Sequence, residues 1–262
     1  MSSRPNVPRL DHPITEDGGS DTLNRARAAM DASNAVSEDC ALHLENVTKR
    51  DAMATELDFF FFFGSTHSYL SVMRIEELAA RAGISVNWRP FSVRALMREQ
   101  GNTFHTVSLR TAYMWRDIER RAAEHGLPFV RPPIWPTDPD QLANRVGVVA
   151  ASEGWCPAYA KASFRSWYLD GKELGDLATL SAVLRELGKV PEDVITRANS
   201  EAVRALYESE TDVARKLGVF GVPTFAVARE IFWGDDRLEQ ALDWVSGTHP
   251  AQRQRGVARP AE

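Results

Sequence analysis

Three short segments carry side chains able to do chemistry. The first is Gly64-Ser65-Thr66-His67-Ser68-Tyr69, where an apolar run stops and a helical pattern starts. Backbone N–H groups at such a junction point outward with the helix behind them, which favours an anion or a thiolate. Ser65 can donate a hydrogen bond to a thiolate brought from outside, or it can simply cap the helix. Ser65 and Ser68 cannot form a disulfide, so dithiol exchange is excluded here. His67 could donate a proton, although a histidine in an exposed first turn is more often inert. The second segment is Gly221-Val222-Pro223-Thr224-Phe225, a turn ahead of a strand pattern. There the Val222 N–H and C=O could pair with an extended peptide as an added strand. The third is Gly234-Asp235-Asp236-Arg237, which opens the last helical pattern. Asp235 is expected to cap that helix. Asp235 and Asp236 beside free N–H groups could also hold a ligand bearing both an ammonium and a carboxylate.

These segments need elements to position them. Residues 57–63 hold five consecutive Phe of the chain's twelve. A run so short and apolar on both faces is a central strand covered by helices on both sides. A helix follows over 69–82, ended by Gly83, and then an alternating strand over 84–91. Strand, helix and strand in that span make a right-handed βαβ unit. Helical patterns then run over 93–99, 108–125, 139–153, 157–169, 176–187, 191–198 and 200–217, with a Pro-rich loop at 131–136 and no convincing strand. A hairpin over 224–228 and 230–233 and a helix over 235–245 close the chain. The order βαβ, helices, ββα predicts an α/β protein with a thioredoxin-like fold: 55–92 and 218–247 form the thioredoxin-like domain and 93–217 an inserted all-helical domain. In that fold the Val222-Pro223 bond is expected in cis, and the places of Ser65 and Ser68 are those of a Cys-x-x-Cys pair.

The rest of the composition narrows the class. The chain has 262 residues, 44% hydrophobic and 26% charged, with a net charge of -5. That is the balance of a soluble globular protein, mildly acidic and without the basic run of a nucleic-acid surface. No stretch of about 18 apolar residues is present, so no membrane-spanning helix is expected. The first residues lack the apolar core of a secretory signal. Two cysteines, Cys40 and Cys156, exclude a disulfide framework or a cysteine-rich zinc site and suit a cytoplasmic location. Residues 1–54 contain no aromatic residue and read as a disordered extension, with a weak helix over 22–35. Met53 looks like an alternative start. Residues 248–262 read as a flexible tail.

Other chemistry-bearing residues have plainer readings. His12, His43, His67, His105, His125 and His249 are scattered without metal-like pairing. Cys156 stands at a helix start with no His or Lys beside it and reads as structural. Trp115, Trp135 and Trp155 could line an aromatic pocket between the two halves, but helical core is the more ordinary place for them. Arg116, Arg120 and Arg121 beside Asp117, Glu119 and Glu124 read as a solvated helix face. The first segment does not match Gly-x-Ser-x-Gly, so a hydrolase elbow is unsupported.

The segments FGSTHSYL, WRPF, FGVPTF and FWGDDRLE, in this order and spacing over about 57–247, resemble the kappa-class glutathione transferase and 2-hydroxychromene-2-carboxylate isomerase family. That family is a DsbA-like branch of the thioredoxin superfamily. The resemblance implies glutathione as cofactor and Ser65 as the catalytic residue contacting its sulfur. It implies pairing of the cysteinyl backbone with Val222 before Pro223, and of the γ-glutamyl end with Asp235 and Asp236. It implies further contacts from Asn102 and Arg110, and Trp167 as a pocket residue, with His67 beside it. His67 stands where the family usually has an aromatic residue, and Asp235 replaces a small polar one. The activity implied is glutathione-dependent cis-trans isomerisation of an aromatic-degradation intermediate. A kappa-like glutathione S-transferase is the alternative, and a noncatalytic thioredoxin-like binding module is the alternative from another class. A homodimer is implied by the resemblance alone.

Overall fold

A computed structural model of the chain describes residues 56–102 and 108–255. The expected extension over 1–54, its weak helix, Cys40 and His105 lie outside the described residues, as do 256–262. Strand β1 (Glu56–Phe61) is central in a four-stranded sheet ordered β2-β1-β3-β4. It runs parallel to β2 (Ser85–Pro90) and antiparallel to β3 (Thr224–Val227), which pairs antiparallel with β4 (Glu230–Trp233). The phenylalanine run is buried on both faces, as expected. Leu57, Phe59, Phe61 and Phe63 enter the larger core, while Phe60 and Phe62 enter a second cluster with Phe91, Leu96 and Ala226. Phe59 stacks on Phe61 at 5.0 Å and on Phe225 at 5.4 Å, which locks β1 to β3.

Between β1 and β2 the chain forms two helices where one was expected, α1 (Thr66–Val72) and α2 (Ile75–Ala82). The break at Met73–Arg74 is a tightened turn in which Arg74 N–H donates to Ser71 O, three residues back. Arg74 is anchored from outside by an ion pair with Glu239. Gly83, at φ 68°, ends α2: its N–H donates to Ala80 O and the next N–H to Ala79 O.

All described elements between β2 and β3 are helices. They are α3 (Val93–Glu99), α4 (Ser108–Glu124), α5 (Leu142–Ser152), α6 (Cys156–Tyr168), α7 (Leu177–Glu186), α8 (Pro191–Asn199) and α9 (Glu201–Leu217). Helix α5 starts three residues later than its pattern suggests. The Asp138 carboxylate accepts from the N–H groups of Ala143 and Asn144, and Gln141 takes a left-handed conformation. Residues 142–150 are all buried, so α5 is the central helix of the block, packed on β2. One core runs without interruption from the sheet through α5, α6 and α7. Gly147 lets α5 approach β1: a Cβ there would lie 2.5 Å from the Phe63 ring.

After the hairpin come a 3₁₀ turn (Asp235–Arg237) and α10 (Leu238–Val245). The segment expected to fray from residue 248 instead continues as α11 (Pro250–Arg255). Its start is held by Ala251 N–H donating to His249 Nδ1 at 3.2 Å and by Gln252 Nε2 donating to Trp244 O at 3.1 Å. No described helix is long and apolar enough to cross a membrane.

Candidate active site

Strand β1 ends at Phe61, two residues before the apolar run does. The buried side chain of Asn144, 81 residues away, then takes over as strand partner: Phe63 N–H donates to its Oδ1 at 2.9 Å, and its Nδ2 donates to Phe63 O at 3.4 Å. The same Nδ2 donates to Asp138 Oδ2 at 2.7 Å. Burial pushes the Asp138 carboxyl up, against the pull of the Asn144 amide and two backbone N–H groups. Gly64 follows at φ 142°, in the positive-φ region that suits glycine, and turns the chain into α1.

Ser65 is the N-cap of α1, in extended conformation, and its Oγ accepts from Ser68 N–H at 3.2 Å. Capping uses one lone pair of the hydroxyl and leaves its O–H free to donate. The capping and thiolate-binding readings are therefore compatible at Ser65, which is half-buried. Ser68 is fully buried and its Oγ has no partner, so the second hydroxyl is sealed off from ligands. The first turn of α1 is tied to α6 by Tyr168 OH, which donates to Thr66 O at 3.0 Å.

The register of β1 and β3 carries the second segment to the same place. Phe60 pairs with Thr224, so Pro223 falls opposite Phe61, the last residue of β1, and Val222 continues past it on the side of Ser65. The Val222-Pro223 bond is cis. Pro223 O accepts from Gly234 N–H at 2.9 Å, which joins this loop to the Asp235 turn. Val222 is half-buried, and among the described residues neither its N–H nor its C=O has a partner.

The two aspartates separate. Asp235 does not cap α10, whose first turn has no side-chain cap. It is 3% exposed, and its Oδ2 accepts from Arg121 Nε at 2.6 Å. A guanidinium in a buried position is a stronger partner than free N–H groups, which is why the cap is not made. Burial pushes the Asp235 carboxyl up despite Arg121. Asp236 is exposed, 3.4 Å from Arg237, and is the acid of the pair that a ligand can reach.

Helix α1 packs on α4 and on the 3₁₀ turn. His67 Nε2 lies 3.4 Å from Asp117 Oδ2. Asp117 and Arg121 were read as part of a solvated face. Arg116–Glu119 at 2.6 Å is such a pair, but Asp117 and Arg121 point inward to His67 and Asp235. Periodic charge looks alike whether a helix face meets water or another helix, so sequence reasoning missed both. Arg110, exposed in the first turn of α4, lies on their face, since 110, 114, 117 and 121 are spaced at helical intervals. Asn102 is exposed, with its N–H donating to Met97 O at 2.8 Å, and residues 103–107 between it and α4 are not described.

Trp167 is not brought to this place. It is fully buried between Phe164 and Tyr168, with its indole N–H donating to Ile134 O at 3.0 Å. Trp115 packs edge-on to Trp135 and lines an open cavity of about 440 Å³ with Phe129 and Arg131, on the side of α4 away from His67. A larger cavity of about 700 Å³ follows the free edge of β2, lined by Val86, Trp88, Val148 and Glu210, and touches none of the site residues. Cys156 is buried and burial alone pushes its thiol up, so it is inert as read.

A family profile described as a DSBA-like thioredoxin domain matches residues 56–245. A 2-hydroxychromene-2-carboxylate isomerase of Sphingobium xenophagum is 27% identical over 190 residues, 71% of this chain and 96% of its own length. Glutathione S-transferase kappa 1 of Caenorhabditis elegans is 22% identical over 208 residues, 74% of this chain and 92% of its own. The solved structure of a 2-hydroxychromene-2-carboxylate isomerase superposes with a TM-score of 0.67 at 24% identity, over 78% of this chain and 100% of that one, a likeness of fold.

Proposed function

The chain belongs to the DSBA-like thioredoxin domain family, and from that membership we propose that it is a glutathione-dependent cis-trans isomerase of the 2-hydroxychromene-2-carboxylate type, acting on an intermediate of aromatic degradation in the cytoplasm. The isomerase and kappa transferase relatives support the reaction class. The observation that carries the reading is Ser65: a half-buried hydroxyl with a free O–H, at the position where redox members of the fold keep a thiol.

Ser65, Val222 and Asp236 suit the tripeptide. They offer a hydroxyl donor, an unpaired N–H and C=O, and an exposed carboxylate. When bound, glutathione supplies a thiolate nucleophile that can also leave again. Ser65 holds the sulfur with its O–H while its oxygen keeps the cap of α1. Val222 pairs with the cysteinyl backbone. Asp236 takes the γ-glutamyl ammonium, and Asp235 supports that turn through Arg121. Arg110, in the first turn of α4, and Asn102, just after α3, take the glycyl carboxylate. Helix α1 has only seven residues, so the hydroxyl and not a long helix dipole is the principal donor.

The test is Ser65→Ala, measured with 2-hydroxychromene-2-carboxylate and glutathione. Turnover is expected to fall by about 10²–10³, the usual cost of removing one such donor, with a smaller loss of glutathione affinity. Unchanged turnover would end the reading. Stoichiometric loss of free glutathione in the wild type would make it a kappa-like transferase. No heat on titration with glutathione would leave a noncatalytic binding module.

A further inference from the structure

We propose that His67 is the base that receives the thiol proton when glutathione binds, and that Asp117 decides which ring nitrogen does so. The proposal rests on the glutathione reading above and adds a residue that the family resemblance placed only beside the substrate.

Asp117 is a hub. Its carboxylate accepts from Arg120 at 3.0 Å and from Tyr113 OH at 3.4 Å, and His67 Nε2 approaches it at 3.4 Å. Burial pushes this carboxyl up, but the hydrogen bonds from Arg120 and His67 outweigh it and hold it below the usual carboxylate range. Asp117 therefore stays ionised around neutral pH and can only accept. The hydrogen must then sit on Nε2, which leaves the lone pair on Nδ1. Among the described residues Nδ1 makes no hydrogen bond.

His67 stands two residues after Ser65 in the first turn of α1, and its side chain is 31% exposed, so a ligand can reach the ring. The groups around it come from every element packed on α1. Helix α4 contributes Asp117, Arg120, Tyr113 and Arg121; the 3₁₀ turn contributes Asp235 and Asp236. From α6 comes Tyr168, bonded to Thr66 O, and at the start of α2 Arg74 is paired with Glu239. The carboxylates on these elements are themselves paired, Asp117 with Arg120 and Asp235 with Arg121. The step balances as a single proton transfer. The S–H bond breaks, its electron pair stays on sulfur beside the Ser65 O–H, and the proton passes to Nδ1. Ser65 alone has no means of storing that proton, since its hydroxyl donates without accepting one.

The experiment counts protons. Glutathione is titrated calorimetrically into the full chain at about pH 7.5, below the ordinary thiol value of about 8.5, in buffers of different ionisation enthalpy. Thiolate formation is followed by ultraviolet absorbance. In the wild type the thiolate is expected with about zero protons released to buffer, because His67 keeps the proton. His67→Phe and His67→Gln are expected either to release about one proton per thiolate formed or to bind glutathione as the thiol. Asp117→Asn, which loses the obligate acceptor, is expected to follow the His67 variants, and Asp117→Glu to restore the wild-type count. The same proton count and the same thiolate in wild type and both His67 variants would overturn the role of His67 while leaving glutathione binding intact. A wild type that releases a full proton would also overturn it. Absence of binding heat in the wild type would overturn both readings together.

Discussion

Removing the Asn144 amide is expected to cost about 3–5 kcal/mol of folding stability, a large share of the 5–15 kcal/mol typical of a domain. Asn144→Leu keeps most of the volume and deletes only the polar contacts. Phe63 N–H, buried against Oδ1 at 2.9 Å, loses its acceptor, and an unsatisfied buried donor costs about 1–3 kcal/mol. The bond to Asp138 at 2.7 Å is lost as well and leaves a buried carboxyl oxygen short of a donor, at a further cost of about 1–3 kcal/mol. The contact to Phe63 O, at 3.4 Å, is long and adds little. The sum is not fully additive, because all three bonds share one side chain. Urea unfolding at neutral pH measures the difference, read as a shift of midpoint at constant slope. Because Phe63 leads directly into Gly64 and Ser65, the variant is also expected to lose turnover at temperatures where it remains folded. A loss below about 1 kcal/mol would refute the claim that this amide completes the strand.

Three further outcomes follow from the same geometry. Arg121→Met strands the buried Asp235 carboxylate and is expected to cost about 2–4 kcal/mol, somewhat less than a fully enclosed pair since Arg121 keeps some exposure; the double variant with Asp235→Asn should recover most of it, again by urea unfolding. Gly147→Ala forces a methyl group toward the Phe63 ring and should destabilise by about 1–3 kcal/mol, where an ordinary helical Gly→Ala change would stabilise, so a raised melting temperature would contradict the close approach. Glu173 lies below its ordinary value of 4.5: burial pushes it up, but Thr137 and the N–H groups of Asp138 and Gly175 more than compensate. Its folded value being depressed, its contribution is present above about pH 4.5 and is lost as pH falls through the lowered value, so Glu173→Gln should be less stable at neutral pH with a deficit that closes on acidification.

The elements whose signals are local were legible in the chain. The five-phenylalanine run read as a strand buried on both faces because no solvent-facing alternation interrupts it. The helices between β2 and β3 read from periodicity, and Gly83 and the Val222-Pro223 turn from backbone chemistry. The break of α1 from α2 was hidden because no glycine or proline marks it; it depends on Arg74 reaching Glu239 across 165 positions. Asn144 looked like any polar residue in a helix, and only its fit to the backbone of Phe63 gives it a role. That Ser65 and the Val222-Pro223 turn lie at one end of the sheet was legible because register along β1 and β3 follows from the fold. The burial of Asp235 and Trp167 was not legible, since it depends on how α4 and α6 settle, and that is decided by side-chain packing over long separations.

The sealed position of Ser68 bears on chemical wear. A dithiol site must present a reactive sulfur to solvent, and peroxide can carry that sulfur to sulfinic or sulfonic acid, ending its life. Here the outward position is a hydroxyl, the inward one is an enclosed hydroxyl, and Cys156 is walled into the core. On the glutathione reading, oxidative damage at this place would fall on a small molecule that diffuses away and is replaced, and the protein would outlast its cofactor.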